Sequence, residues 1–374
     1  MTKTISSIWF WQRNLTPHMG SLAESLAKKN YVVNFVSNSV LTKDRKEQGW
    51  EKAKLRKAKF ILATNKTDIF RLSRKIPKNS LHFCQGIRGN GLIGYAQKIL
   101  RNRGLKQWAM IERIDDDGWK SQIKKILYSI HFFYLKKYLE GVLAIGYDTK
   151  DWIIKRGMNK DQVHSFAYFL KKPKIEEKKK YLLNTKNKGC FRFIFAGQLI
   201  RRKRVDMLIN AIAALKIKDL ELWIAGDGPC KKSLYLLSKL LLPGRVHWLG
   251  VLSMSKIPQI IKQADCLVLP SRHDGWGAVV SESLMVGTPV ICSNKCGASS
   301  IVKASDEGEV FLYNDQMSLI KILKKQYEKG KISIRKRKKI IKWSKCINSN
   351  SGAKYLDLII KNNSNKLISV PWKK

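Results

Sequence analysis

No run in the 374 residues approaches the ~20 consecutive apolar residues that a membrane-spanning helix needs. Met1 to Phe10 also lacks the apolar core and small-residue cleavage site of a secretory signal. The expectation is therefore a cytoplasmic chain. Cysteines number only seven, at 84, 190, 230, 266, 292, 296 and 346, an odd and scattered set that excludes a disulfide framework. Cys292 and Cys296 have no second pair to complete a zinc site, so all seven read as reduced core or surface thiols. No internal repeat sets a solenoid period. The largest deficit is in acidic residues: 28 Asp and Glu face 73 Lys and Arg, for a net charge of +45. That excess is spread along the chain, which draws it to polyanions: phosphorylated substrates, anionic membrane surfaces or nucleic acid. Charge alone does not choose among these, and any single lysine cluster reads equally well as a solvated face.

What is present is enough apolar material, 44%, to fill two cores, and the length exceeds one ordinary domain. Apolar runs recur at Ser6 to Trp11, Tyr31 to Ser37, Lys59 to Ala63, Leu81 to Gln85, Trp108 to Ile114, Gly141 to Ile145 and Val163 to Tyr168. Helix-compatible segments separate most of them, among them Met19 to Lys29 and Trp119 to Glu140, which is the pattern of βα units on a parallel sheet. From Lys171 to Gly189 the pattern lapses into a charged, proline-containing stretch. The alternation then restarts with strands at Phe191 to Ala196, Leu220 to Ala225, Val246 to Leu249, Cys266 to Ser271 and Pro289 to Ser293. The expected domains are 1–172, with a return helix at about 352–374, then a linker at 173–189 and a second domain at 190–351. Both are open α/β sheets, whose ligands sit at the carboxyl ends of the strands.

The segment Cys266 to Asn294 is the richest in chemistry. After a strand doubly buried by its composition comes a loop with Gly275 and Gly277, then a helix from Ala278 to Met285 that Gly287 and Pro289 end. Two carboxylates, Asp274 and Glu282, flank that turn. The backbone N–H groups of Gly277, Ala278 and Val279 at the helix start offer partial positive charge to an anion. The turn 198–204, QLIRRKR, joins a strand to a helix with four cations.

FAGQLIRRKRVDMLINAIAAL from Phe195, LWIAGDGP, VHWLG, LVLPS, DGWG with Glu282, and GTPVI together resemble the retaining family-4 glycosyltransferases, in order and spacing, over about Phe195 to Gly297. Weaker similarity to the N-terminal domain of bacterial exopolysaccharide glycosyltransferases lies in HFCQG at 82–86, IERIDDDG and LAIG at 143–146. The resemblance implies the GT-B architecture, two Rossmann-like domains facing across a cleft. It further implies a hexosyl transfer from a nucleotide-diphosphate sugar to a growing, lipid-linked glycan, at the cytoplasmic membrane face. By the same resemblance Glu282 binds ribose hydroxyls, a role for which a carboxylate's paired acceptors suit a diol, and Asp274 touches the transferred sugar. Lys203 aligns with the phosphate-binding lysine. Gln198 stands where an arginine is usual, so Arg201 or Arg202 takes its part. Val251 aligns with the residue whose backbone faces the base, and Gly20 with a glycine near the donor phosphates.

The rest reads more plainly. AGDGP at 225–229 is turn chemistry, and Trp248 reads as core. Asp115 to Asp117 imitates a metal-binding DxD but is a decoy, since Lys, Arg and a helix N-terminus already answer the diphosphate charge; no metal or other cofactor is expected. Glu112 and Arg113 stand near where many relatives carry a histidine, and His18 in the first strand-to-helix loop is a bystander as readily as a ligand. Helix 119–140 combines Ile123, Leu127 and Ile130 with Lys124, Lys125, Lys136 and Lys137, and either lies on an anionic bilayer or packs inward. The run Ile334 to Trp343 either serves the same membrane purpose or binds nucleic acid. Two alternatives remain for the whole chain: a nucleotide-sugar epimerase of the same fold, and a basic nucleic-acid-binding protein, which would bind tightly and with steep salt dependence.

Overall fold

In the computed structural model, residues 5–115, 117–119, 121–175, 189–362 and 368–373 are described. The chain divides into two compact units, one of Met1–Thr42, Lys52–Lys171 and Ile347–Lys373, the other of Lys43–Glu51 and Lys172–Cys346. Most of the expected linker, 173–189, lies outside the described residues, as do positions 363–367 beyond the last helix.

The first unit is built on seven parallel strands: β1 (Ile8–Asn14), β2 (Val33–Ser39), β3 (Lys59–Leu62), β4 (Leu81–Gln85), β5 (Lys106–Glu112), β6 (Leu139–Ile145) and β7 (Val163–Phe166), in the order β3-β2-β1-β4-β5-β6-β7. The central strands carry near-continuous apolar runs because both faces are covered; Ile8, Phe10, Phe83, Ala109, Val142 and Leu143 are all fully buried. The order reverses between β1 and β4, which is where an open sheet of this kind leaves a crevice at its carboxyl edge. Helix Ser349–Lys361 belongs to this unit and packs against helix Pro17–Ala27, with Ser25 Oγ donating to Ser349 Oγ at 3.0 Å and Tyr31 OH to Asp357 Oδ1 at 2.5 Å. Gly352 permits the approach: a Cβ there would stand 2.3 Å from the Phe169 ring.

The second unit has six parallel strands, β8 (Phe191–Ala196), β9 (Leu220–Ala225), β10 (Val246–Gly250), β11 (Cys266–Leu269), β12 (Val290–Ser293) and β13 (Gly308–Phe311), in the order β10-β9-β8-β11-β12-β13. Its switch point lies between β8 and β11. The α/β class and the two parallel sheets are as the alternation predicts.

Several expected boundaries shift. Helix 119–140 is shorter, Ser121–Leu135 followed by a tight turn Lys136–Tyr138, because Leu139 is drawn into the ladder opposite Gln107 and Glu140 accepts from Lys106 Nζ at 2.7 Å. Strand β13 was unforeseen; GEVF is a four-residue edge strand with one buried residue, too short and too polar to stand out. Trp248 is half-buried on the edge strand β10, edge-on to Tyr235 at 5.9 Å, not in the core. Residues 43–51, which the sequence order assigns to the first domain, pack within the second unit: Met254 N–H donates to Gly49 O at 3.0 Å and Ser255 Oγ to Glu51 at 2.7 Å. All seven cysteines are free.

Candidate functional site

Two loops flank the β8/β11 switch. The first runs from Gly197 to Arg204 after β8, with a short 3-10 turn at Arg201–Lys203 and Arg204 in the left-handed region at φ +52°. It is held by the turn that the sequence marks as structural: Leu199 N–H donates to Asp227 O and Cys230 N–H to Leu199 O, both at 2.9 Å. A Cβ on Gly226 would meet Gly197 O at 1.9 Å, and one on Gly228 would meet Leu199 O at 2.6 Å, so AGDGP exists to let this loop lie down on it.

The second loop, from Pro270 to Gly277 after β11, rests on the segment 295–298. Asp274 N–H donates to Lys295 O at 3.0 Å and Gly297 N–H to Asp274 O at 2.9 Å, while Cys296 Sγ donates to Trp276 O at 3.1 Å. Gly277 caps helix Ala278–Met285 at φ +85°, a conformation that favours glycine, and has Cys296 Sγ and Leu269 where a side chain would go. The first N–H groups of this helix have no partner inside it, as at any helix start. Gly297 and Cys296 are the supports that sequence reasoning missed; the CG pair following β12 was the available signal.

The loops are laced together by charge. Lys203 Nζ donates to Asp274 Oδ2 in a close ion pair, with both side chains largely buried, 12% and 14% exposed. Arg202 donates to His273 O and lies 3.9 Å from Asp274 Oδ1, and Arg272 N–H donates to Arg202 O at 2.8 Å. Arg201 is exposed and Gln198 half-buried in the same loop. The expected anion-binding lysine and sugar-binding aspartate are therefore brought together, bound to one another.

Glu282 sits in the second turn of the helix, half-buried, and among the described residues its carboxylate has no hydrogen-bond or ion-pair partner. Burial pushes its pKa up to about 7, because nothing there compensates the loss of water by the charged form. A half-buried carboxylate that loses water without gaining a partner is costly, and such a group marks a place where a ligand can supply what is missing. Val251, just past β10, is exposed, and the loop it begins is braced by Gly49, at φ +77° with Leu252 O 2.3 Å from where its Cβ would be.

Gly20 belongs to the first unit. It is buried in helix Pro17–Ala27, with Ala53 Cβ 2.8 Å from its missing Cβ. The His18 ring lies tilted against Tyr168 with centroids 4.2 Å apart, and Tyr168 donates to Glu112. Arg113 lies over the Trp152 ring. Asp116 lies outside the described residues, and among those described no three His, Cys, Asp or Glu side chains gather as a metal site.

Comparison with known proteins bears on the family and the fold. Residues 173–345 match the family model described as glycosyl transferases group 1. An uncharacterised 41.2 kDa protein of the cps region of Klebsiella pneumoniae is 22% identical over 213 residues, 56% of this chain and 57% of that one. A putative teichuronic acid biosynthesis glycosyltransferase of Bacillus subtilis is 31% identical over 108 residues, 29% of this chain and 26% of that one. The matched stretches thus span little more than half of these relatives, or less. The Anabaena protein HepE, solved in complex with UDP, superposes with a TM-score of 0.72 at 14% identity, covering 95% of this chain and 99% of the other. Over residues 173–345, then, the chain is matched by the glycosyl transferases group 1, and over nearly its whole length it has the GT-B fold of two Rossmann-like sheets.

Proposed function

We propose that this protein is a glycosyltransferase of polysaccharide or lipopolysaccharide synthesis, retaining and of family 4, that moves a hexosyl group from a nucleoside diphosphate sugar to a growing, lipid-linked glycan. The observation that carries the reading is the unpartnered, half-buried Glu282 carboxylate on the helix that starts beside the Lys203–Asp274 pair. Glu282 accepts the two ribose hydroxyls of the donor. Lys203 leaves Asp274 for the diphosphate, joined by Arg202 or Arg201 and by the amides of Gly277, Ala278 and Val279; Gln198 lines the same loop. Asp274, released, accepts hydroxyls of the transferred sugar. The base lies along Val251.

Cleavage of the anomeric C–O bond puts negative charge on the diphosphate, and these cations and amides are in place before it appears, so the charge is met without a metal. For retention the acceptor hydroxyl attacks from the face the diphosphate leaves, and the departing phosphate oxygen takes its proton. The UDP in the HepE structure and the family match of residues 173–345 support the donor class.

Lipid-linked acceptors call for a membrane surface. No helix among the described residues is long and apolar enough to cross one. Helix Ser121–Leu135 instead exposes Ile123, Ile126, Ile130 and Phe133 beside Lys124, Lys125, Lys136 and Lys137, the composition of a segment that lies on anionic lipid. The test is a panel of nucleotide sugars scored for nucleoside diphosphate release with and without polyprenyl-linked glycans, with product analysis. Acceptor-dependent release lost in Glu282→Ala supports the reading. A changed sugar nucleotide formed without acceptor, or equal activity in the variant, overturns it.

A further inference from the structure

We propose that the outer face of helix Lys231–Leu241 in the second unit is a membrane-docking surface whose partner is an anionic lipid bilayer. The proposal goes beyond the glycosyl-transfer reading, from which it takes only the presence of a membrane, and its surface is separate from helix Ser121–Leu135 of the first unit. The helix turns Leu234 and Ser238 into its own unit and leaves Leu237 and Leu241 half-buried. At ~3.6 residues per turn, the opposite face carries positions 232, 235, 236, 239, 240 and 243.

On a helix that only covers a sheet, those positions should be polar. Instead Leu236 is 58% exposed, Leu240 77% and Tyr235 41%. Leu236 and Leu240 are neighbours on the helix surface, being four residues apart. Tyr235 flanks them and carries the apolar surface on to the half-buried Trp248 of β10, edge-on at 5.9 Å. Exposed apolar side chains scattered singly are ordinary, whereas a contiguous set on one element marks a binding surface.

The charge around the patch names the partner. Lys232 and Lys239 share the face, and both are exposed. Lys239 Nζ lies 4.9 Å over the Tyr235 ring, which holds its charge at the rim of the patch. Lys231 pairs with Asp227 at 2.7 Å where the helix begins, and from Gly228 to Arg245 the sequence contains no acidic residue. Leucine and tyrosine set among lysines are what a surface-lying helix offers to acyl chains and headgroups. A second copy of this chain would bring lysine against lysine on a molecule of net charge +45. An anionic bilayer answers the lysines and the leucines together, so the second unit has a lipid contact of its own.

Co-sedimentation of the full chain tests this, with vesicles of phosphatidylcholine alone and of phosphatidylcholine mixed with phosphatidylglycerol. Leu236→Gln with Leu240→Gln removes the apolar pair and leaves the net charge as it is. Partitioning onto the phosphatidylglycerol vesicles is expected to fall about tenfold or more, with UDP affinity and thermal stability unchanged. Hydrogen exchange of the backbone over 231–242 is expected to slow when those vesicles are added and not with phosphatidylcholine alone, which localises the contact to this helix. Wild-type partitioning in the double variant, exchange indifferent to vesicles, or equal binding to both kinds of vesicle overturns the proposal. So does a dimer that the double substitution dissociates in sedimentation velocity, since a second copy would then be the occupant. A large loss of thermal stability in the variant also overturns it, because the chain itself would then cover the face. Nucleoside diphosphate release is scored separately, and its absence with vesicle binding intact tells against the glycosyl-transfer reading alone.

Discussion

A single carboxylate decides most about the proposed donor site. Glu282 carries a pKa raised by burial to about 7 against an ordinary 4.5, so the folded protein holds a proton that the unfolded chain gives up between those values. The sign follows: this contribution to stability is full below about pH 4.5 and is lost as pH rises through about 7, to the order of 3 kcal/mol. Glu282→Gln is therefore expected to be more stable than wild type at pH 8 and nearly equal at pH 4.5, measured by denaturant unfolding, while binding UDP less tightly. Since the ribose diol is best met by the ionised form, wild-type affinity for UDP should fall as pH drops below about 7, and that dependence should vanish in Glu282→Gln. Lys203 acts at a different stage. Its charge is satisfied by Asp274 in the structure, and in the proposed mechanism it is needed on the diphosphate as the bond breaks. Lys203→Ala is expected to lower kcat about 100-fold, with a smaller change in KM, by the measure of other preorganised charge stabilisers. A loss confined to KM would reassign it to ground-state binding.

At the scale of elements, the site depends on how closely three glycine-bearing turns approach one another. Gly226 is a case where the missing side chain has a countable purpose, since the Gly197 carbonyl occupies its place at 1.9 Å. Gly226→Ala should push the 197–204 loop off its support, costing about 2–4 kcal/mol in unfolding measurements and weakening UDP binding, although residue 226 has no contact with the donor in the proposed mechanism. How much of this was legible from sequence divides along physical lines. The strands of both sheets other than β13 were, because a doubly buried parallel strand such as CLVL has little choice but to be apolar. Helix Ala278–Met285 was too, bounded by glycines on either side. What escaped had its cause elsewhere in the chain: GEVF becomes a strand only because Val290–Ser293 offers an edge, and Leu139 leaves its helix only because Gln107 captures it. The Lys203–Asp274 pair joins residues 71 apart, which no local pattern announces. The docking of 43–51 beside Val251 escaped for the same reason.

For the molecule as a whole, the proposed membrane contact turns on how the charge of +45 is distributed against apolar surface. The helix Ser121–Leu135 leaves Ile126 and Phe133 59% and 66% exposed, a loss in water that a packed helix would not tolerate, and it follows an exposed Trp119. Lysines at 124, 125, 136 and 137 sit in the same stretch. On an anionic bilayer each such cation near the surface contributes about 1 kcal/mol, and the apolar side chains are relieved of water at ~25 cal/mol per Å² buried. Binding should therefore require both terms. Co-sedimentation with vesicles containing phosphatidylglycerol is expected to be strong at low ionic strength and to fall as salt rises, because the electrostatic term is screened within a Debye length. Ile126→Asp with Phe133→Asp is expected to reduce partitioning about tenfold or more while leaving UDP affinity and thermal stability unchanged, since both side chains already face water. If the double variant partitions like wild type, this helix has no special part in reaching the lipid.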